Sequence, residues 1–420
     1  MTAILSNADP FRLEAAIAQN HSDLFYLDAL AKGGMVRQET GCSWTYIPEE
    51  QCGDILFPKQ LNGTAALDAM FDFYRTHPVR DLCCWSLNPP ETTDLDVLLL
   101  ARGFQPGWKP CWMALEISAI RPSFVAPADL VIKPDNEMSL SAIAGLPYAG
   151  NNDLGNKNLP QLNPKQVQRF VALKQGRVVA QTLMLFGGGV AGIYNVGVVP
   201  EYSRQGIGKA IVTAACLHAF QEGYHYVTLN ANSNGRPLYE QLGFKWINDG
   251  LTWSITDDRL NTRSPGPAQV ALAEAIGKGD LTMLDSLPAT DLNVPLCNGM
   301  RPLELAAHFR QTICAEWLIA HGALCSVLDA WDMGWRDRSA ALLADDPEAV
   351  NQLYGVYQYT LLHVAAERND SVLAQLVLSF DPNLQLRDMV YQGTALEWAR
   401  HLQRKEIEAL IGIHMSGVSD

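Results

Sequence analysis

No apolar run in the 420-residue chain approaches the roughly 20 residues that a membrane-spanning helix requires. The opening stretch Met1–Arg12 has neither a basic segment nor an apolar one, so a secretory signal is not expected and a cytoplasmic location is. No Cys-x-x-Cys pair occurs among Cys42, Cys52, Cys83, Cys84, Cys111, Cys216, Cys297, Cys314 and Cys325, and none forms a ligand pattern with the nine histidines. This odd set reads as free thiols in a reducing compartment, with no metal site expected. Positive charge is scarce: 31 Lys and Arg stand against 45 Asp and Glu, a net charge of −14. Such a surface repels phosphate backbones, which argues against nucleic acid, and draws cationic substrates or basic partners. Charged residues make up only 18% against 48% hydrophobic, the balance of a folded chain rather than a disordered one.

The length predicts two to three domains. Two composition breaks mark boundaries, Arg121–Asp129 (RPSFVAPAD) and Thr256–Ala268 (TDDRLNTRSPGPA). Between them, Arg169–Gln175, Arg177–Phe186 and Gly192–Val199 read as strands separated by turn residues. A helix is predicted over Gly206–Glu222, with Ile207, Ile211, Ala214, Leu217 and Phe220 on its apolar face and Gly223 closing it. A strand at Tyr224–Ala231, a short helix at Pro237–Leu242 and a strand around Leu251–Ile255 complete a mixed α/β sheet.

The first half of the chain echoes this pattern. Leu98–Ala101 runs into Arg102-Gly103-Phe104 much as Leu238–Gln241 runs into Leu242-Gly243-Phe244, and a tryptophan-bearing strand follows each, around Trp112 and Trp253. After residue 268 the character changes. Thr360-Leu361-Leu362-His363-Val364-Ala365-Ala366 and Thr394-Ala395-Leu396-Glu397-Trp398-Ala399 start 34 residues apart, and Arg301-Pro302-Leu303-Glu304 lies 59 residues before the first of them. Five helical units fit, the first (Val270–Asn298) and third (Asp329–Tyr354) degenerate. His363 is expected to bond turn backbone, and Asp329–Arg338, near Trp317, Trp331 and Trp335, to form either a protruding contact loop or a solvated charged loop.

The most specific stretch runs from Asn195-Val196-Gly197-Val198-Val199-Pro200 through Glu201-Tyr202-Ser203-Arg204-Gln205 to Gly206-Ile207-Gly208-Lys209. It passes from a strand through a turn into a helix. Glycines there let backbone approach a ligand, and the first helical turn offers unpaired N–H groups and the positive dipole end to an anion. It lacks the Gly-Lys-Ser/Thr ending of a nucleotide-binding P-loop.

Residues 165–256 resemble the GNAT acetyltransferase superfamily, and this stretch is similar to the bacterial ribosomal-protein alanine acetyltransferases. The resemblance implies acetyl-CoA as acyl donor. Val196, Gly197 and Val198 would pair with the pantetheine arm, and the amides of Arg204, Gln205, Gly206, Ile207, Gly208 and Lys209 would hold the pyrophosphate. Asn232, Gly235, Leu238 and Tyr239 match the later motif, which makes Asn232 a pantetheine ligand and Tyr239 the general acid for the departing thiolate. Ser203 departs from the Gln or Arg of the motif. Val227 stands where the ribosomal-protein enzymes carry a glutamate base, so the acceptor is not expected to be the same peptide. Base candidates are a water held by Tyr194 or Asn195, or the loop Asn151-Asn152-Asp153.

The C-terminal repeats resemble ankyrin repeats. The expected fold is therefore α/β, two GNAT-like mixed-sheet halves, followed by an all-α ankyrin-repeat solenoid. Residues 1–120 form a degenerate half, 129–256 the catalytic domain, 257–268 a linker and 269–420 the repeats. In the degenerate half Leu61-Asn62-Gly63-Thr64 replaces the glycine turn and Leu99 replaces Tyr239, while Trp44, Trp85, Trp108 and Trp112 either wall the acceptor pocket or pack in the core. The function expected is N-acetylation of a small cationic primary amine such as an amino-bearing antibiotic. Alternatives are acetylation of a protein recruited by the repeats, and a non-catalytic acyl-CoA-binding scaffold. The partners implied are the amine acceptor and a protein bound through the repeats, with homodimerisation left open and neither nucleic acid nor membrane expected.

Overall fold

The computed structural model describes residues 3–39, 41–59, 65–77, 79–120, 127, 129–150, 158–232, 234–256, 266–288, 290–355 and 358–417. Most of both predicted linkers, together with the stretches 61–64 and 151–153, lies outside these described residues. The chain divides into two units, Met1–Pro265 and Gly266–Asp420.

The first unit opens on helix α1 (Pro10–Ala31). Pro10 sits in its first turn, and Asp9 caps it by accepting the Arg12 N–H at 2.8 Å. The strands are β1 (Met35–Glu39), β2 (Cys42–Tyr46), β3 (Cys52–Leu56), β4 (Asp81–Leu87), β5 (Gln105–Pro106), β6 (Cys111–Glu116), β7 (Leu130–Pro134), β8 (Val167–Lys174), β9 (Arg177–Gly187), β10 (Val190–Val198), β11 (Tyr226–Ala231) and β12 (Lys245–Thr256). They form one sheet in the order β1-β2-β3-β4-β12-β6-β11-β10-β9-β8-β7, with β5 paired to β12. Helices α2 (Ala65–Thr76) and α3 (Leu95–Ala101) belong to the first half, α4 (Ile207–Gln221) and α5 (Arg236–Leu242) to the second.

The sequence repeat placed a tryptophan strand at the end of each half, and the sheet shows where those strands go. β6 lies between β11 and β12, while β12 pairs through Gly250–Thr256 with β4 and through Lys245–Asp249 with β6. Each closing strand is thus hydrogen-bonded to strands of the other half. Twelve residues let β12 reach across both. Helix α1 continues the interleaving by packing against β1–β4 as well as β9, β10 and β12.

Two cores result. Leu67, Met70, Phe71, Tyr74, Leu99 and Phe104 fill one with Trp253 and Ile255 from β12. Ile207, Ile211, Ala215 and Ala219 of α4 pack on Met113, Leu115, Met184, Ile193, Val227 and Leu229 in the other. The buried face of α4 is not quite the predicted one. Ala215, Cys216 and Ala219 are buried, whereas Leu217 and Phe220 are 47% and 57% exposed. Small side chains thus face the sheet beside Ile207 and Ile211, and Leu217 and Phe220 point away from it.

The second unit is helical. Its helices come in pairs along the sequence: Pro267–Lys278 with Leu281–Ser286, Pro302–His308 with Thr312–Ala320, Val327–Asp332 with Arg336–Asp345, Leu361–Arg368 with Ser371–Leu378, and Ala395–His401 with Lys405–Gly417. The last four pairs open on the same device. Glu304, Asp329 and Glu397 take the N–H of the residue three positions earlier at 2.7, 2.8 and 2.7 Å, and His363 Nδ1 takes that of Thr360 at 3.3 Å. The other ring nitrogen of His363 lies 3.0 Å from the Gly393 carbonyl, the backbone role expected of it. Asp329–Arg338 is not a loop but the end of one helix, a turn and the start of the next, with Arg336, Asp337 and Arg338 exposed. Asp329 and Trp331 are buried in a helix, with Trp331 Nε1 donating to Asp370 at 2.8 Å.

Candidate active site

β10 and β11 run parallel, but their ladder holds only Ala191↔Val227, Gly192↔Thr228 and Ile193↔Leu229. On the other edge of β10, the pairing with β9 slips between Tyr194 and Gly197, and Asn195 adopts φ +53°. This bulge turns β10 away from β11 just beyond Ile193. Val196, Gly197 and Val198 stay anchored to β9 through Gly197↔Gln181 and Val198↔Ala180, and among the described residues no strand pairs with their β11-facing edge. The strands therefore form a wedge with one bare backbone edge.

The turn follows directly. Pro200–Tyr202 makes a 3-10 turn, and Arg204 and Gly206 take positive φ, +61° and +80°. A Cβ on Gly206 would meet no atom within 4 Å, so its glycine answers the backbone angle and leaves open space beside it. Ala210 N–H to Gly206 C=O, 3.0 Å, is the first rung of α4, so the amides of Ile207, Gly208 and Lys209 precede the ladder. Arg204 and Gln205 are exposed, Gly206, Gly208 and Lys209 half-buried, and Ile207 buried in the core. Lys209 reaches the Gln241 side chain of α5, and Lys174 reaches Gln205 at 3.1 Å. Ser203 is exposed. The open space and the uncommitted helix-start amides suit an anionic group.

Asn232 ends the segment after β11. Its Oδ1 accepts the Gly235 N–H at 2.7 Å and its carbonyl accepts Arg236 N–H at 3.0 Å, so it shapes the entry to α5. Tyr239, on α5, is 8% exposed and rests edge-on against Phe244 at 5.8 Å. Burial pushes its phenol up to about 12, with the nearby Tyr148 adding to the shift. The group is a protonated donor throughout the neutral range.

The proton-accepting side is barer. Val227 is fully buried between Ala191 and Leu115. The Tyr194 hydroxyl donates to Asn20 Oδ1 at 2.7 Å and burial drives its pKa far up, so its proton is committed to Asn20 and not to a water.

Two residues of α1 escaped the sequence reading. Fully buried Asn20 donates through Nδ2 to the carbonyls of Leu185, Gly187 and Val190 at 3.2, 2.9 and 3.3 Å, while its Oδ1 holds Tyr194. It thereby ties the β9–β10 hairpin and the residue before the bulge to the first half of the chain. Beside it, His21 is enclosed by Phe25, Phe57, Trp85, Trp112 and Tyr194, with ring centroids 4.5–6.0 Å away. Burial lowers its pKa to about 3 and keeps it neutral. No local motif marks either residue, because their partners lie up to 174 positions away. Trp85 and Trp112 are thus packed against α1, Trp44 is buried against Phe73 and Tyr74, and Trp108 is 51% exposed.

Among the described residues no cluster of His, Cys, Asp and Glu could hold a metal, all nine cysteines are free, and no helix is long and apolar enough to cross a membrane. No curated protein matches the chain. Solved structures similar to it include a GCN5-related N-acetyltransferase from Kribbella flavida, 17% identical, covering 58% of this chain and 95% of its own, with a TM-score of 0.45. A tandem GNAT protein from the clavulanic acid biosynthesis pathway is 11% identical, covering 61% and 98%, with a TM-score of 0.43. A GCN5-related N-acetyltransferase from Sphaerobacter thermophilus is 14% identical, covering 58% and 93%, with a TM-score of 0.39. Residues 147–244 match the model of the Acetyltransferase (GNAT) family. That match spans β8–β11, the turn, α4 and α5, and the chain carries a GNAT-family acetyltransferase domain.

Proposed function

We propose that the second half of the first unit transfers an acetyl group from acetyl-CoA to a small primary amine, cationic in its free form. The observation that carries the reading is the wedge itself: a parallel pair that opens at a bulge and leads into a turn of uncommitted amides. In this reading the bare edge of Val196–Val198 pairs with the pantetheine amides, and Asn232 adds a side-chain amide. The N–H groups from Arg204 to Lys209 take the pyrophosphate. The neutral amine attacks the thioester carbonyl carbon, main-chain N–H at the wedge steadies the oxyanion, and the C–S bond breaks as Tyr239 gives its proton to the thiolate. The desolvation that raises the phenol also raises the thiol, so donor and acceptor stay matched. With Val227 apolar, solvent removes the amine proton.

The net charge of −14 supports a cationic acceptor. The first half, with Leu99 in place of an acid, would serve as scaffold and wall. We read the second unit as ankyrin repeats on its recurring caps and helix pairs, and its acidity favours a second reading in which it brings a protein substrate to the wedge. A screen of amines and basic proteins for thiol release, beside Tyr239→Phe, tests the proposal. Turnover of an amine, sharply reduced in Tyr239→Phe, supports it. No thiol release with any acceptor and no acetyl-CoA binding would sink it.

A further inference from the structure

The loop from Asp388 to Gly393 in the second unit is organised around one carboxylate. Asp388 is fully buried, and its carboxylate accepts the N–H groups of Val390, Tyr391 and Gly393 at 2.8, 2.6 and 2.9 Å and Trp398 Nε1 at 3.0 Å. Four bonds to one carboxylate fix the loop firmly. What it holds out is apolar: Met389, Val390 and Tyr391 are 67%, 49% and 75% exposed. Three consecutive apolar side chains this exposed on a fixed support disfavour solubility. Rigid presentation of such a tip lowers the entropy lost on binding.

Beside the tip lies a cleft of about 600 Å³. Tyr359 and Tyr391 stand 5.1 and 5.8 Å from the Trp398 ring, both steeply inclined to it. Arg387 is spent on Glu397 at 3.0 Å and on the Gln392 carbonyl. The Glu367 carboxylate, on the same wall, is exposed and has no ion-pair partner among the described residues. Aromatic faces next to an unspent carboxylate favour an organic cation. The cleft lining carries two carboxylates, Glu367 and Glu397, beside Arg387 and His401, and the second unit as a whole is acidic, with 20 Asp and Glu against 10 Lys and Arg over residues 266–420.

We infer that this loop and cleft dock a basic peptide segment of a protein partner, its arginine or lysine seated between the rings and Glu367 and an adjacent apolar side chain covering Met389 and Val390. The inference stands on the second unit alone and does not depend on catalysis by the first.

The test uses the full chain as bait for a displayed library of random 12-residue peptides, followed by affinity measurements on the selected synthetic peptides. Enrichment of Arg or Lys beside an apolar residue is expected. Glu367→Gln and Tyr391→Ala, both surface changes, should each weaken those peptides about tenfold or more while leaving the thermal transition in place. Selected peptides without a basic residue, or affinities unmoved in both variants, would overturn the inference. So would N-acetylarginine amide binding as tightly as the peptides, or the cleft being occupied by a second copy of the chain, seen as a dimer that Tyr391→Ala dissociates.

Discussion

The first unit contains two parallel strand pairs built to one plan, β3–β4 and β10–β11, and only one of them is open. β3–β4 stays in register through five pairs, from Cys52↔Asp81 to Leu56↔Trp85, and Phe57 N–H extends it to the Trp85 carbonyl at 2.8 Å. β10–β11 stops after three and bulges. The helices that follow are matched more closely still. Phe104 N–H bonds Leu99 at 3.1 Å as Phe244 N–H bonds Tyr239 at 3.1 Å, and Gly103 and Gly243 share φ near +100°, at 98° and 101°. Leu99 and Tyr239 therefore occupy equivalent places, one wholly buried and apolar, the other carrying a hydroxyl. A closed ladder uses its backbone groups internally and gains stability, whereas an open one leaves them available to the ligand proposed above. The same framework serves both ends, and local backbone geometry decides which.

Substitutions at the equivalent positions Leu99 and Tyr239 should differ most in effect. Tyr239→Phe is expected to cut kcat about 10²- to 10⁴-fold with acetyl-CoA affinity intact, while Leu99→Met should leave kcat unchanged. Steady-state kinetics with a responsive amine and direct CoA binding read both. Next in size is Asn20→Ala, which strips donors from three carbonyls and the acceptor from Tyr194. A loss of about 3 kcal/mol in the first unit is expected, a lowering of its transition by about 10 °C in calorimetry. An unchanged transition would mean that α1 does not brace the hairpin. Gly206→Asp puts a side chain at φ +80° and a negative charge at the turn, and acetyl-CoA should bind about 100-fold more weakly in a titration.

The smallest effect concerns pH. His21, held near 3 when folded, binds a proton in the unfolded chain below about 6.5, so its contribution falls as pH drops from 6.5 toward 3. Asp54 is pushed by burial up to about 7, so it stays protonated in the fold while the unfolded carboxyl ionises, and its contribution falls as pH rises from about 4 to 7. The two slopes oppose each other between about pH 4 and 6.5. In denaturant titrations His21→Leu should expose the second and Asp54→Asn the first, each at most about 1.4 kcal/mol per pH unit. Parallel profiles in both variants would refute the opposition.

Much of this was legible in the sequence where the signal was local. The strand–turn–helix run at Val196–Lys209, the Tyr239–Phe244 cap and the apolar Val227 all follow from neighbouring residues. The exposure of Leu217 and Phe220 was not, since periodicity marks an apolar face but not how closely a sheet approaches it. The exchange of β6 and β12 was also hidden, because a strand's pattern fixes which face is buried and says nothing about its neighbours. Asn20 and His21 were silent for the same reason: their partners are distant in the chain.

In the proposed function one half of the first unit binds acetyl-CoA and its structural twin does not. Calorimetric titration of the full chain with acetyl-CoA tests it most directly. One equivalent per chain, with binding strongly weakened by Gly206→Asp, is the predicted result. Two equivalents, or one equivalent indifferent to Gly206→Asp, would contradict it.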